Sequence, residues 1–133
     1  MKAVLVDTDV LIEFLRGKDY ARDFLLSLLE DTAIFCSAIT VAEIYAGMRE
    51  HEKGKTADLI DSISIVDVTR EIAEKAGIYK RSIKSLQLEL DDCIIAATAF
   101  VIKAVLSTIN VKHYPMTDIE KKIVVPGRTR GTA

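Results

Sequence analysis

Residues 3–6 read Ala-Val-Leu-Val with no polar alternation, and the run stops on Asp7. A strand with one wet face alternates apolar and polar side chains. An unbroken run rich in Val and Leu therefore fits a strand covered on both faces, as in a parallel sheet. Comparable runs recur at 33–36, 64–68, 104–107 and 122–125, and helical patterns lie between them. Phe24, Leu25, Leu28 and Leu29 share one helix face, and Val41, Ile44, Tyr45 and Met48 follow the spacing of a second. Thr69 before Arg-Glu-Ile-Ala-Glu reads as the N-cap of a helix running to about Ser85. The segment Asp92 to Ile102 is apolar almost all round, which predicts a central, buried helix with only its amino end near the surface. Strands alternating with helices predict an α/β domain with a mainly parallel central sheet.

Turn chemistry places the breaks. Gly17-Lys18 splits the first helical region, Gly54 marks the end of a helix over 41–52, and Pro115 and Pro126-Gly127 punctuate the end of the chain. No linker or internal repeat divides the 133 residues, so the expectation is one domain over 1–127 with a frayed tail at 128–133. A chain of this length buries roughly two thirds of its unfolded surface.

Composition narrows the function classes. The longest apolar stretch, Cys93 to Ile102, is far short of the ~20 residues a bilayer needs, and the Met-Lys start runs into a strand without a signal-peptide pattern. A cytoplasmic protein with no membrane role is expected. Cys36 and Cys93 sit in apolar segments without a partner Cys or His at ligand spacing, so they read as buried packing residues. Half of the residues are hydrophobic, which predicts surplus apolar surface for a dimer or partner face. A net charge of −2 does not announce a nucleic-acid binder. Acidic residues confined to a pocket would nonetheless leave the rest more basic, and Arg49, His51, Lys53, Lys55, Lys80, Arg81, Lys84, Lys112 and His113 are candidates for a basic rim.

Four apolar runs hand over, at or soon after their ends, to oxygen-bearing residues: Asp7; a helix carrying Glu43; Asp91 and Asp92; and Ser107, Thr108 and Asn110. Carboxylates gathered from distant points of a chain repel one another, so a fold that gathers them usually holds a cation among them. Ligands in open α/β sheets bind at the carboxyl ends of strands, where Asp7 and Asn110 would sit. Asp7-Thr8-Asp9 offers more oxygen than one helix cap requires, and Asp9 fits a first-turn carboxylate supporting the site. Glu43 has a competing reading, because Thr40-Val41-Ala42-Glu43 spells a capping box. Gly47 lies one turn beyond Glu43 on the same side, where close approach of a ligand would justify a glycine. Asp91 and Asp92 both stand at the mouth of the buried helix, where the dipole keeps a carboxylate ionised, so that one would cap the helix and the other hold the metal. Asn110 is a good turn residue whose amide oxygen binds hard metals less strongly than a carboxylate, and His113 reads as a surface residue.

These residues carry a family resemblance. Val6-Asp7-Thr8-Asp9-Val10-Leu11-Ile12 with Arg16-Gly17, then Ile39 to Gly47, then Asp92-Cys93-Ile94-Ile95-Ala96-Ala97-Thr98-Ala99, then Leu106 to Tyr114 resemble, in order, the PIN domain of VapC-type toxins, over Lys2 to about Pro126. The resemblance implies a PIN-like, Rossmann-like three-layer sandwich and an endoribonuclease dependent on Mg2+ or Mn2+. It also implies a homodimer and a cognate antitoxin protein. The family's acidic positions fall on Asp7, Glu43 and Asp92, with Asp7 and Asp92 as metal residues, and since the family-like run begins at Asp92 the resemblance leaves Asp91 as the N-cap. Asn110 stands at a fourth position that is often aspartate, which leaves a second metal ion open. Thr8 and Thr108 would orient a carboxylate or a water. A metal so held would polarise a phosphodiester oxygen and activate water for in-line attack on RNA, with no side-chain nucleophile needed. Two alternatives stand beside this reading: a haloacid-dehalogenase-like phosphohydrolase with Asp7 as nucleophile, and a non-catalytic protein-binding module of PIN fold.

Overall fold

The computed structural model describes residues 2–85 and 88–125. The expected break at Pro126-Gly127, the tail and the end of the expected domain lie outside the described residues. The chain runs β1 (Lys2–Val6), α1 (Thr8–Leu15), α2 (Asp19–Ser27), β2 (Thr32–Ser37), α3 (Ala38–Gly47), α4 (Lys53–Asp61), β3 (Ser64–Val66), α5 (Arg70–Ser82), α6 (Leu90–Ile102), β4 (Val105–Thr108) and β5 (Lys121–Ile123). Single 3-10 turns sit at Glu50–Glu52 and Val111–His113. The sheet order is β3-β2-β1-β4-β5 and every pairing is parallel.

The unbroken apolar run of β1 is central, as its pattern requires. Leu5 pairs in register with Phe35 on one side and Leu106 on the other. With Leu106 it faces a layer built from α5 and α6, through Ile72, Ala76, Tyr79, Ile95 and Ala96. Val4 and Val6 face the opposite layer, where α1 to α4 contribute Val10, Leu11, Leu25, Ile44 and Leu59. The result is the expected three-layer sandwich. The chain leaves β1 toward β2 on one side, while β4 lies on the other, so the carboxyl ends of β1 and β4 flank the switch point of the sheet.

Several boundaries differ from the sequence expectation. Ser37 caps α3, its hydroxyl accepting from the Ile39 amide at 3.1 Å, so that helix starts before Thr40. The chain turns extended at Met48, and Gly54 lies inside α4 instead of ending a 41–52 helix. Glu89, two residues before Asp91, occupies the cap position of α6, which begins at Leu90. Thr69 does cap α5, accepting from the Ile72 amide at 3.2 Å, but α5 stops at Ser82 because Ile83 turns extended. Tyr45 and Leu29, expected on packed faces, are exposed. Gly17, at φ +79°, makes the left-handed turn that separates α1 from α2. Both cysteines are free and buried. Among the described residues, no helix is long and apolar enough to cross a membrane.

Replacing Thr69 by Ala removes the side-chain partner of one helix amide and should cost about 1 kcal/mol. A denaturant midpoint that falls with an unchanged slope is the expected result, and an unchanged midpoint would show that the cap contributes nothing.

Candidate functional site

Asp7 sits where β1 ends and α1 begins. Its amide donates to the Ser107 carbonyl at 2.9 Å, tying it to β4. Its Oδ1 accepts from the Thr8 amide at 2.8 Å and from the Tyr114 hydroxyl at 2.9 Å. Its Oδ2 accepts from the Thr108 hydroxyl at 2.6 Å. The side chain is thus both the α1 cap and a gripped, buried carboxylate. Burial, and then the Asp9 charge, push it up to about 7 against the pull of those donors.

Asp92 approaches from the first turn of α6. Its Oδ1 lies 3.3 Å from the Tyr114 hydroxyl, and its Oδ2 lies 3.8 Å from His113 Nδ1. Burial and then the neighbouring Asp91 push it up to about 6, with His113 opposing. Tyr114 therefore stands between two carboxylates, fully buried, and its single phenolic proton serves the nearer one, Asp7. Burial and the Asp7 charge raise the phenol above its ordinary range, so it remains a donor. Lys121 Nζ fixes this segment by donating to the Tyr114 and Met116 carbonyls at 2.7 and 2.8 Å.

Glu43 is free of the capping box that its spacing suggested, because Ser37 is the cap. Thr40 is instead fully buried, with its hydroxyl 2.9 Å from that of Thr8, and Thr8 donates to Glu43 Oε1 at 2.6 Å. Burial and then a hydrogen bond with the Asp91 side chain push Glu43 up to about 7. Glu89 occupies the cap position of α6. Asp91 is accordingly not the N-cap; it stands one residue inside α6, where its Oδ1 accepts from the Asp92 amide at 3.0 Å. Asp9 and Asn110 form the outer edge: Asn110 Nδ2 donates to Asp9 Oδ2 at 2.8 Å, and the Asn110 amide donates to Thr108 Oγ1 at 3.0 Å. Gly47 ends α3, and a Cβ there would meet no protein atom within 4 Å.

The structure thus brings Asp7, Thr8, Glu43, Asp91, Asp92 and Thr108 to one edge, with Asp9 and Asn110 adjoining. Sequence reasoning missed Tyr114, His113 and Thr40. The first two lie in the 106–114 segment already singled out, but only the 3-10 turn at Val111–His113 swings them to the acids.

The donor set fits a hard divalent cation. All of its carboxylates supply oxygen, and three of them are displaced upward in part by one another's charge, a strain that a cation relieves. Among the described residues no three acidic, His or Cys side chains already converge as a closed cage. Magnesium keeps several waters and takes one or two protein carboxylates, so Asp7 and Asp92 suffice.

The PIN domain family model matches residues 4–110. Ribonuclease VapC10 of Mycobacterium tuberculosis is 40% identical over 129 residues, covering 93% of this chain and 96% of that protein. Ribonuclease VapC19 of the same organism is 35% identical over 115 residues, covering 84% and 92%. A toxin-antitoxin complex from Klebsiella pneumoniae superposes with a TM-score of 0.72 at 28% identity over 88% of this chain and 98% of the other. FitAcB from Neisseria gonorrhoeae does so at 0.71 and 26% identity, over 89% and 95%.

Raised carboxyl pKa values have a definite sign in stability. The folded protein holds protons that the unfolded chain releases, so this contribution is complete below about pH 4 and is lost as pH rises through 6 to 7. Without metal, the melting temperature should fall between about pH 5 and 8, and Asp92→Asn should flatten that fall and raise the value at its alkaline end. A melting temperature that climbs over this interval would contradict the arrangement described here. Tyr114→Phe, which keeps the buried ring and removes one donor to Asp7, should weaken Mn2+ binding about 10- to 100-fold by titration.

Proposed function

This chain belongs to the PIN domain family, and we propose that it is an endoribonuclease, the toxin of a toxin-antitoxin pair, that hydrolyses RNA phosphodiester bonds with Mg2+ or Mn2+. The observation that carries the reading is the meeting of Asp7, Glu43 and Asp92 from three distant segments at one sheet edge. Asp7 and Asp92 would hold the ion, which when bound neutralises phosphate charge and makes water more acidic.

The chain's own residues do the rest. Thr108, Tyr114 and the Thr8 amide lock the orientation of Asp7, as partners of a metal-holding carboxylate do. Glu43, held by the Thr8 hydroxyl at 2.6 Å, is the third carboxylate at this edge and the group available there for general acid-base work. Among the described residues, neither cysteine competes with water as the nucleophile. Burial pushes the Cys36 thiol up to about 11 and raises Cys93 as well, so neither offers a thiolate. The phosphohydrolase alternative needs its second acidic motif just after a strand, whereas Asp91 and Asp92 open a buried helix.

The acidic edge also suits inhibition by an antitoxin, since an arginine fork matches carboxylates in geometry and charge. The Klebsiella pneumoniae structure that this chain resembles is a toxin-antitoxin complex. Exposed Leu26, Leu29, Ile78 and Phe100 supply apolar surface for a homodimer, and we place the protein in the cytoplasm.

Asp7→Asn, nearly isosteric, should lower cleavage of single-stranded RNA at least ~100-fold, with products bearing 5′-phosphates. EDTA should abolish the activity and Mn2+ restore it; undiminished cleavage in EDTA would end the metal reading. Sedimentation at micromolar concentration should show a dimer, and a monomer there would remove that part of the proposal.

A further inference from the structure

Arg16, Arg49, His51 and Lys55 converge on a cavity of about 230 Å3, completed by Leu15, Gly17 and Glu52, that the catalytic residues do not touch. Lys55 Nζ is held over the carboxyl end of α1, donating to the Leu15 carbonyl at 3.4 Å. Glu52 is the one acid lining the cavity, and its Oε1 is taken by the Arg49 amide at 2.9 Å. Among the described residues, no carboxylate lies within ion-pair distance of Arg16, Arg49 or Lys55. Three permanent cations facing one carboxylate form a local positive excess in a chain whose net charge is −2.

The position of the cavity gives that excess a use. α1 leaves the site directly after Asp7 and ends at the cavity, a length of about 12 Å for eight residues. α3 carries Glu43 and ends at Gly47 alongside. Between the two helices lies a smaller apolar cleft lined by Ile12, Leu15, Ile44, Gly47 and Met48, which shares Leu15, Arg16 and Glu52 with the cationic cavity. Acidic centre, apolar floor and cationic pocket thus follow one another along α1 and α3. A strand whose scissile phosphate lies at the acids carries further phosphates outward, and these need positive charge. We propose that the Arg16, Arg49 and Lys55 cavity is a subsite for RNA backbone phosphate, a few nucleotides from the bond that is cut. Guanidinium forks match phosphate oxygens two at a time, and a backbone contact of this kind positions the strand without reading its bases. The inference rests on the nuclease reading above.

The test uses the full chain and a labelled single-stranded oligoribonucleotide. Binding is measured in the Asp7→Asn background to prevent cleavage, and kinetics in the otherwise native protein. Arg16→Gln with Arg49→Gln should weaken binding by about tenfold or more, as one or two lost charged contacts do. The slope of log affinity against log salt should shrink by about 0.7 for each phosphate released. The kinetic loss should fall on KM, and should lessen for a dinucleotide too short to reach the cavity. Both arginines are exposed, so the melting temperature serves as the folding control, and Arg49→Glu gives an independent second variant. An unchanged affinity and salt slope would overturn the subsite. So would a variant that keeps its RNA affinity but escapes inhibition by the antitoxin, since the cavity would then be an acidic-peptide site. Native protein that neither binds nor cuts RNA would overturn the nuclease reading itself, and the subsite with it.

Discussion

The Asp7 carboxylate is the point on which the rest of the site depends. Three donors from separate parts of the chain meet on its two oxygens: the Thr8 amide of α1, the Thr108 hydroxyl at the end of β4, and the Tyr114 hydroxyl beyond the 3-10 turn. A buried carboxylate without donors would be costly, so each bond both satisfies the charge and fixes an element against its neighbour. The Asp7 amide, bonded to the Ser107 carbonyl, extends the β1–β4 pairing into the site itself. Fold and candidate chemistry share one anchor.

Around that anchor the fold accepts electrostatic strain. Asp9, Asp91, Asp92 and Glu43 crowd an edge where His113 is the one titratable base close to them, and burial plus mutual repulsion lift three carboxyl groups toward neutrality. Uniform packing would have selected apolar residues at such positions. Clustered acids that destabilise the protein near neutral pH make sense where a cation or a cationic side chain is the normal companion. The same crowding sets the division of labour: Asp7 and Asp92 are joined through Tyr114, while Glu43 accepts from Thr8 beside them.

Charge is also laid out along the molecule. α1 carries Asp9 in its first turn and α3 carries Glu43 near its middle, while the cavity at the carboxyl end of α1 gathers cations. Each sign sits where the helix dipole does not favour it least: Asp9 lies in the first turn of α1, and Lys55 lies over its last carbonyls. An overall charge near zero conceals this separation, which is why composition alone gave no sign of a polyanion partner.

By itself the sequence determined the sheet and the acids. The unbroken apolar run of β1 required a strand covered on both faces, the Thr69 cap follows from local chemistry, and the apolar pattern of α6 buries Cys93 and residues 95–99, although Phe100 near its carboxyl end is exposed. Asp7, Glu43 and Asp92 were legible because each follows such a landmark. Helix starts were not, since Ser37 against Thr40, and Glu89 against Asp91, differ by less than a turn, and either residue of each pair could cap in isolation. The roles of Tyr114, His113 and Thr40 were decided only by tertiary structure. Their partners lie 22 to 107 residues away for Thr40 and Tyr114, a separation at which periodicity carries no information and only the folded geometry brings the atoms within reach.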